Sequence, residues 1–303
     1  MKEYIMVAKI ASYRERVRDH VMLAKPGIVL LVLITTLGGM YMGQRGLPAP
    51  WLILLTLVPV GLATAGSAVL NNFFDRDIDV LMNRTLKRPI PQGRVYPMNA
   101  LVFGLLLIVI SIFILLFVNT VTAILTAASA FIYVIPYTVL MKRKTHLVTH
   151  VGSITGALPP AIGYAAVRGS VGLEAVVLFA IMFIWQHPHF WAYALKYRED
   201  YSRAGVPVLP LSKGVKGTKL RTLIYTAVLL PVSIMPYYLK MSGIYYLVLA
   251  SVLGLIYIAL AVKAYLSEND SGRVLFVYSL VYISVLFTGI VADMVKQPGL
   301  IAS

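Results

Sequence analysis

The sequence predicts an all-α, polytopic membrane protein in which nine transmembrane helices surround a central cavity. Of its 303 residues, 59% are hydrophobic and only 13% are charged. A water-soluble domain of this size needs far more polar surface, so the bilayer must solvate much of the chain. Charged residues are also missing from long stretches, of which the longest runs from residue 95 to residue 141.

These stretches set the positions of the predicted helices. A transmembrane helix needs about 20 apolar residues, so the stretch 95–141 holds two helices that meet near Asn119 and Thr120. The chain as a whole, 1–303, is interpreted as one transmembrane domain that follows a cytoplasmic N-terminal segment, 1–25. The predicted spans cover about 26–43, 51–73, 97–118, 121–141, 147–167, 172–194, 220–239, 243–264 and 274–294.

The basic residues predict the orientation. With the N-terminus inside, 23 of the 27 Lys and Arg residues lie on the cytoplasmic side of these spans. This bias predicts a multi-pass protein of the cell (plasma) membrane, N-inside and C-outside. The net charge of +15 does not indicate nucleic-acid binding, because the basic residues lie in short blocks between apolar runs. Residues 1–25 lack the pattern of a removable signal peptide.

The loops suggest an internal duplication. The two long loops, each of which contains acidic residues, follow the second and sixth predicted spans. They read RDID then RPIPQG in the first loop, and RED then GVPVLP in the second. We therefore expect two pseudo-repeat halves, about 26–143 and 144–266, with a ninth helix at about 274–294.

The first acidic motif closes the second predicted span. Asn71, Asp75 and Asp79 are spaced four residues apart, so a continuous helix places them on one face about 6 Å apart along its axis, while Asp77 points elsewhere. Oxygen ligands in this arrangement suit Mg²⁺, which proteins usually hold with one or two carboxylates and substrate phosphates. The alternative is a solvated helix end balanced by a basic loop. Ionisable groups at a membrane boundary are costly, which favours a functional site.

Basic residues follow this motif and could neutralise a departing diphosphate. The candidates for diphosphate binding are Arg84, Lys87 and Arg88, with Arg94 close behind them in sequence and Lys196 in the second long loop. Lys142 and Arg143 are first a topology signal and second a pair of cations that could hold carboxylates or phosphates.

The second acidic motif follows span six. Asp200 occupies the position that the Asp ladder has in the first half, so the two motifs could face each other across a cavity and bind Mg²⁺–diphosphate together. His189, beside Trp185, is a candidate substrate contact or iron ligand. His187 is interpreted as a packing residue, and its spacing from His189 puts the two on different helix faces. Because cysteine is absent, thiolate sites and disulfides are excluded.

Several motifs together resemble the UbiA-type intramembrane prenyltransferases, and within them the haem branch, the protohaem IX farnesyltransferases or haem O synthases. The resemblance covers about 25–213. It is carried by the Asn71–Asp75–Asp79 spacing, Arg84-Thr85-Leu86-Lys87-Arg88-Pro89, Tyr137-Thr138 with Lys142-Arg143, Gly156-Ala157-Leu158-Pro159-Pro160, Trp185 with Pro188-His189-Phe190, and Asp200-Tyr201 with Ala204-Gly205 and Pro207.

The resemblance implies a Mg²⁺-dependent transfer of farnesyl from farnesyl diphosphate to a vinyl group of haem B, with water added to give haem O. Asp75, Asp79 and Asp200 are then the metal ligands, aided by Asn71. Trp185, His189, Lys142 and Arg143 are candidates for haem binding, and a haem A synthase or a terminal oxidase assembly is a candidate partner.

Many relatives that act on quinone precursors carry a second D-x-x-x-D, but here Ala204 stands four residues after Asp200. This departure favours the haem branch and leaves Asp200, helped by Glu199, to do what two aspartates do in those relatives. Three alternatives remain open: a prenyltransferase for a quinone precursor or another aromatic acceptor, a transporter of an anionic or phosphorylated solute, and a non-enzymatic haem-binding assembly factor.

Overall fold

The computed structural model describes residues 2–268 and 272–294, and this part of the chain is built from helices. Within it there is no β-strand, and Ser242 and Met294 form an isolated bridge. The predicted all-α fold is therefore confirmed. Residue 1, residues 269–271 and residues 295–303 belong to the predicted domain but lie outside the described part.

The helices follow the predicted order, with additional short helices in the loops. A π-helix, Tyr133–Met141, directly continues α6. The α-helices are α1 Lys2–Leu23, α2 Pro26–Gln44, α3 Pro50–Phe74, α4 Arg76–Asp79, α5 Pro97–Leu115, α6 Thr120–Ile132, α7 Val148–Arg168, α8 Leu173–Lys196, α9 Arg198–Arg203, α10 Leu209–Ser212, α11 Gly214–Tyr238, α12 Ile244–Leu266 and α13 Arg273–Ala292.

Eight of the helices in the described residues are long and apolar enough to cross a membrane. They match eight of the nine predicted spans, which confirms a polytopic membrane protein. The remaining predicted span, about 147–167, forms α7, which falls outside this set. Most of its length is buried, and its buried positions include many small or polar residues such as Gly152, Ser153 and Thr155. The count of nine transmembrane helices and the orientation stay predictions.

The predicted break near Asn119 is confirmed. Asn119 caps α6, because its side-chain Oδ1 accepts hydrogen bonds from the backbone N–H and the hydroxyl of Thr122, both at 2.9 Å. Its amide also donates to the carbonyl oxygen of Ala165 in α7 at 3.0 Å. The hinge between the third and fourth spans therefore also ties them to α7.

Helix α1 was not predicted as a helix. Its C-terminal end packs against α3 and the segment before α5: Arg94 pairs with the buried Asp19 at 3.1 Å, and Asn72 donates to the carbonyl oxygen of Leu23. The chain then turns at Lys25, whose φ of 52° lies in the left-handed region, before α2 begins at Pro26. The predicted cytoplasmic segment is thus folded onto the helix bundle.

A cavity of about 330 Å³ lies between α2, α3, α6 with its π-helix, α7 and α8. Apolar side chains make up most of its wall. Gly152 and Gly156 both line the cavity, and Gly156 also permits close packing, since a Cβ there would lie 2.1 Å from Oε1 of Gln186. The central cavity expected from the sequence is present.

Two glycines allow α2 and α7 to pack with their backbones in contact. A Cβ at Gly39 would lie 1.9 Å from the carbonyl oxygen of Pro160, and a Cβ at Gly163 would lie 1.9 Å from that of Thr36. Small residues permit such close approach of membrane helices. Because α7 borders the cavity, this contact also fixes one of its walls.

We expect Gly39→Ala to destabilise the protein by about 1–3 kcal/mol, because the added methyl group would force α2 away from α7. The measurement is the apparent Tm of the purified protein in detergent. Gly27→Ala is the matched control in the same helix, since nothing lies within 4 Å of a Cβ at Gly27. Equal Tm values for the two variants would contradict the backbone contact.

Candidate active site

The first acidic motif lies at the end of α3, next to the cavity. Ser67 lines the cavity, and Asn71 follows it by one helical turn. Asn71 Nδ2 donates to Oδ2 of Asp75 at 2.8 Å, and the backbone N–H of Asp79 donates to the Asp75 carbonyl oxygen at 2.8 Å. All three side chains are buried. The chain thus stays nearly helical from α3 into α4, as the spacing predicted.

Each buried carboxylate of this motif pairs with a cation. Lys142, just after the π-helix, donates to Oδ2 of Asp75, and Arg88 donates to Oδ2 of Asp79 at 2.6 Å. Oδ1 of Asp75 is buried without a hydrogen-bond partner. A buried carboxylate oxygen that lacks a partner is unusual and retains the capacity to accept a donor or a cation.

Asp77 points away from this face, as expected. Arg143 donates to both of its carboxylate oxygens at 2.6 Å and to the Phe74 carbonyl oxygen at 2.7 Å. These hydrogen bonds hold the pKa of Asp77 below its ordinary value. With an exposed fraction of 61% for the Asp77 side chain, this pair lies outside the buried cluster.

Lys25 belongs to the buried cluster although the sequence analysis did not select it. Its Nζ donates to Oδ1 of Asn71 at 2.7 Å. Burial is the largest cause that lowers the pKa of Lys25 to about 7; the positive charges of Arg88 and Lys142 add to it, and Asp75 and Asp79 offset only part of the shift. The only sequence signal was its place as the last cation before the first span.

The second acidic motif contacts the loop that follows the first acidic motif. Asp200 in α9 is buried, pairs with Arg203 and accepts the backbone N–H groups of Asn83 at 3.3 Å and Arg84 at 3.4 Å. Two segments 116 residues apart in sequence therefore meet. The loop after α4 is held between the two acidic motifs.

Arg84 lies close enough to both acidic motifs to interact with their charges. Its guanidinium lies 5.0 Å from the ring centroid of Tyr201 and 5.8 Å from that of Tyr193. Burial alone would lower the pKa of Arg84, but the two tyrosines and the carboxylates of Asp79 and Asp200 raise it. Among the cations predicted to bind diphosphate, Arg84 and Arg88 lie closest to the acidic cluster.

The other two predicted cations lie at the surface. Lys87 is exposed, and so is Lys196, whose Nζ lies 4.9 Å from the ring centroid of Tyr197 and 5.7 Å from that of Phe276. Glu199 is exposed as well. Within residues 2–268 and 272–294, no three His, Asp or Glu side chains are grouped closely enough to hold a metal ion.

Trp185 and His189 form part of the cavity wall. Trp185 Nε1 donates to the Ser279 carbonyl oxygen at 2.8 Å, and His189 stacks on the Trp185 ring with 4.8 Å between ring centroids. His187, by contrast, is fully buried, and its Nδ1 lies 2.8 Å from the carbonyl oxygen of Phe183. Its ring packs against that of Tyr225, and neither residue lines the cavity, which agrees with the interpretation of His187 as a packing residue.

The model of the UbiA prenyltransferase family matches residues 32–286. A protein named protoheme IX farnesyltransferase from Aquifex aeolicus is 50% identical over 96% of this chain and 100% of its own length. A protein with the same name from Neorickettsia sennetsu is 43% identical over 91% of this chain and 92% of its own length.

Solved structures share the fold at low identity. A digeranylgeranylglyceryl phosphate synthase superposes with a TM-score of 0.79 at 19% identity, over 92% of this chain and 98% of that one. A UbiA homologue from Archaeoglobus fulgidus bound to DMAPP and Mg²⁺ superposes with a TM-score of 0.64 at 15% identity, over 88% of this chain and 100% of that one.

The lowered pKa of Lys25 predicts how stability depends on pH. Lysine titrates at 10.5 when unperturbed and Lys25 at about 7 in the folded protein, so between these values the unfolded chain binds more protons and stability rises with pH. We expect Lys25→Met to reduce the gain in apparent Tm between pH 7 and pH 9. Lys144→Met, which replaces an exposed lysine, should leave that gain unchanged. An unaltered gain in Lys25→Met would contradict the assignment.

Proposed function

Because the chain belongs to the UbiA prenyltransferase family, we propose that it transfers the farnesyl group of farnesyl diphosphate to a vinyl group of haem B. Water adds to the neighbouring carbon, and the products are haem O and diphosphate. Relatives named protoheme IX farnesyltransferase, which match this chain over more than nine tenths of its length at up to 50% identity, support this acceptor.

The observation that carries the proposal is the position of the charged cluster. Arg84 lies close enough to both acidic motifs for Asp79 and Asp200 to raise its pKa, and the first motif begins one helical turn after Ser67, which lines an apolar cavity of about 330 Å³. A prenyl diphosphate has the same division, with a charged head and a long apolar tail. Charge stabilisation at the head promotes departure of the diphosphate, while the apolar wall keeps water from the allylic carbon.

The donor set fits Mg²⁺, for which carboxylate oxygens are suitable ligands. Asp75, Asp79 and Asp200 would hold the metal together with oxygens of the bound diphosphate, because among the described residues no three such side chains are grouped closely enough to hold it alone. Asn71 lies beside Asp75, and the buried Oδ1 of Asp75 has no partner that must first be displaced. When bound, Mg²⁺ supplies positive charge that offsets the charge of the leaving diphosphate. The UbiA homologue from Archaeoglobus fulgidus, solved with DMAPP and Mg²⁺, supports this cofactor.

Basic side chains now hold the carboxylates, and the substrate offers them new partners. Arg88 pairs with Asp79 and Lys142 pairs with Asp75. Diphosphate oxygens can accept hydrogen bonds from the same two side chains. Substrate binding would then replace the pairs with Asp79 and Asp75 by pairs with the diphosphate, and the two carboxylates would be free to bind the metal. Arg84 and Arg88 are the cations best placed for this role, and the exposed Lys87 and Lys196 lie further out.

The acceptor would lie against the α8 side of the cavity, where Trp185 and His189 form the wall. Lys142 and Arg143, the candidates for haem binding that could hold its propionate carboxylates, are paired with Asp75 and Asp77. A propionate could pair with Arg143 more easily than with Lys142, because the Arg143–Asp77 pair is exposed and the Lys142–Asp75 pair is largely buried. The active site faces the cytoplasm in this proposal, as the distribution of basic residues predicts.

We expect Asp75→Asn and Asp79→Asn to abolish farnesyl transfer, because each removes a charged oxygen ligand from the buried cluster. Asp77→Asn is the matched control: it lies between them in sequence but is exposed. The measurement is haem O, separated by chromatography from membranes of a host that lacks its own haem O synthase, with immunoblotting to show that each variant is inserted. Full activity in either cluster variant would remove the metal-ligand argument.

The products separate the alternatives. Purified protein with farnesyl diphosphate, haem B and Mg²⁺ should release diphosphate and form haem O, and chelation should stop both until Mg²⁺ is restored. A prenylated phenol in place of haem O would indicate a quinone-type acceptor. Haem binding without diphosphate release would indicate an assembly factor, and solute uptake without either would indicate a transporter.

A further inference from the structure

His189 is held in one orientation by aromatic rings on both faces. Its imidazole stacks on Trp185, with 4.8 Å between centroids and 21° between planes, and on Phe276, at 4.9 Å and 27°. The two flanking rings come from different helices, α8 and α13. The imidazole therefore forms a rigid part of the cavity wall.

The hydrogen bonds of Ser279 determine which ring nitrogen carries the proton. Ser279 Oγ lies 2.6 Å from the carbonyl oxygen of Phe276, to which it must donate because a carbonyl can only accept. A serine hydroxyl has a single proton, so Ser279 must accept in its 2.7 Å contact with Nδ1 of His189. Nδ1 is therefore the protonated nitrogen, and Nε2 carries a free lone pair.

Nε2 is the ring nitrogen that remains available to a molecule in the cavity. Nδ1 points towards α13, where Ser279 lies, whereas the His189 side chain lines the cavity. Tyr193, which contacts Arg84, follows His189 by one helical turn, or about 6 Å along α8. His189 is thus placed one turn deeper in the bundle than the diphosphate-binding end of the cavity.

We propose that Nε2 of His189 coordinates the iron of the acceptor haem as an axial ligand, an inference that rests on the proposed function. Neutral imidazole is the form that ligates iron, and ligating histidines usually donate their other N–H to a second residue, as His189 does to Ser279. One bond to the iron fixes the porphyrin relative to the wall and brings its vinyl edge into a constant position. Such positioning raises the rate of transfer to the reacting carbon.

His187 offers a matched control, because it also has a free ring nitrogen. Its Nδ1 lies 2.8 Å from the carbonyl oxygen of Phe183, and Nε2 is buried without a partner. However, His187 does not line the cavity and is enclosed by His150, Trp191 and Tyr225. It is a histidine of the same helix that cannot reach the same ligand.

The test is resonance Raman spectroscopy of the purified protein with ferrous haem B. We expect an iron–imidazole stretching band in the wild type and in His187→Phe, and its loss in His189→Phe. In His189→Gly, added imidazole should restore a band at a changed frequency. Ser279→Ala should keep the band, move it to lower frequency and weaken haem binding by about tenfold, because Nδ1 loses its acceptor.

Persistence of the band in His189→Phe, or its loss in His187→Phe instead, would overturn the ligand assignment. Diphosphate release and haem O formation by the wild type, measured in the same preparation, separate the two levels of the proposal. An active wild type without the band refutes iron ligation alone. A wild type that neither binds haem nor releases diphosphate refutes the proposed function together with it.

Discussion

Buried charge at the membrane boundary is the constraint on which the rest of this structure depends. Asp75 and Asp79 are almost completely buried, and each pairs with a cation from another segment: Lys142 after the π-helix and Arg88 in the loop after α4. Removing one member of such a pair leaves an unpaired buried charge and costs about 3–5 kcal/mol. The carboxylates therefore hold both segments against the end of α3, because moving either segment away would leave a buried carboxylate unpaired.

The π-helix Tyr133–Met141 lies between the charged cluster and the apolar cavity. Tyr133 and Tyr137 stack with 5.2 Å between ring centroids, and both line the cavity. Thr138, the next residue in the π-helix, accepts a hydrogen bond from Asn71 at 3.1 Å. The π-helix thus presents aromatic rings to the cavity and polar groups to the acidic cluster. This boundary suits a reaction in which charge develops where a charged head joins an apolar chain.

Local patterns explain what could be predicted from the sequence. The helix spans, the break at Asn119 and the shared face of Asn71, Asp75 and Asp79 all follow from spacing along one segment. Helix α7 was also predicted, but its many buried small and polar residues keep it outside the set of helices that are apolar enough to cross a membrane. Lys25 was missed, because its burial depends on contacts with Asn71, which is 46 residues away.

The two histidines of α8 show this limit most clearly. His187 and His189 are two residues apart, so helical geometry predicts that they face different directions but not which of them faces the cavity. The spacing also does not predict the tautomer of His189, which depends on Ser279, 90 residues away, whose own proton is donated to a carbonyl oxygen. The tautomer of His189 is therefore set by the packing of α8 against α13. A change in that packing would change which nitrogen of His189 carries the proton, although Ser279 itself does not line the cavity.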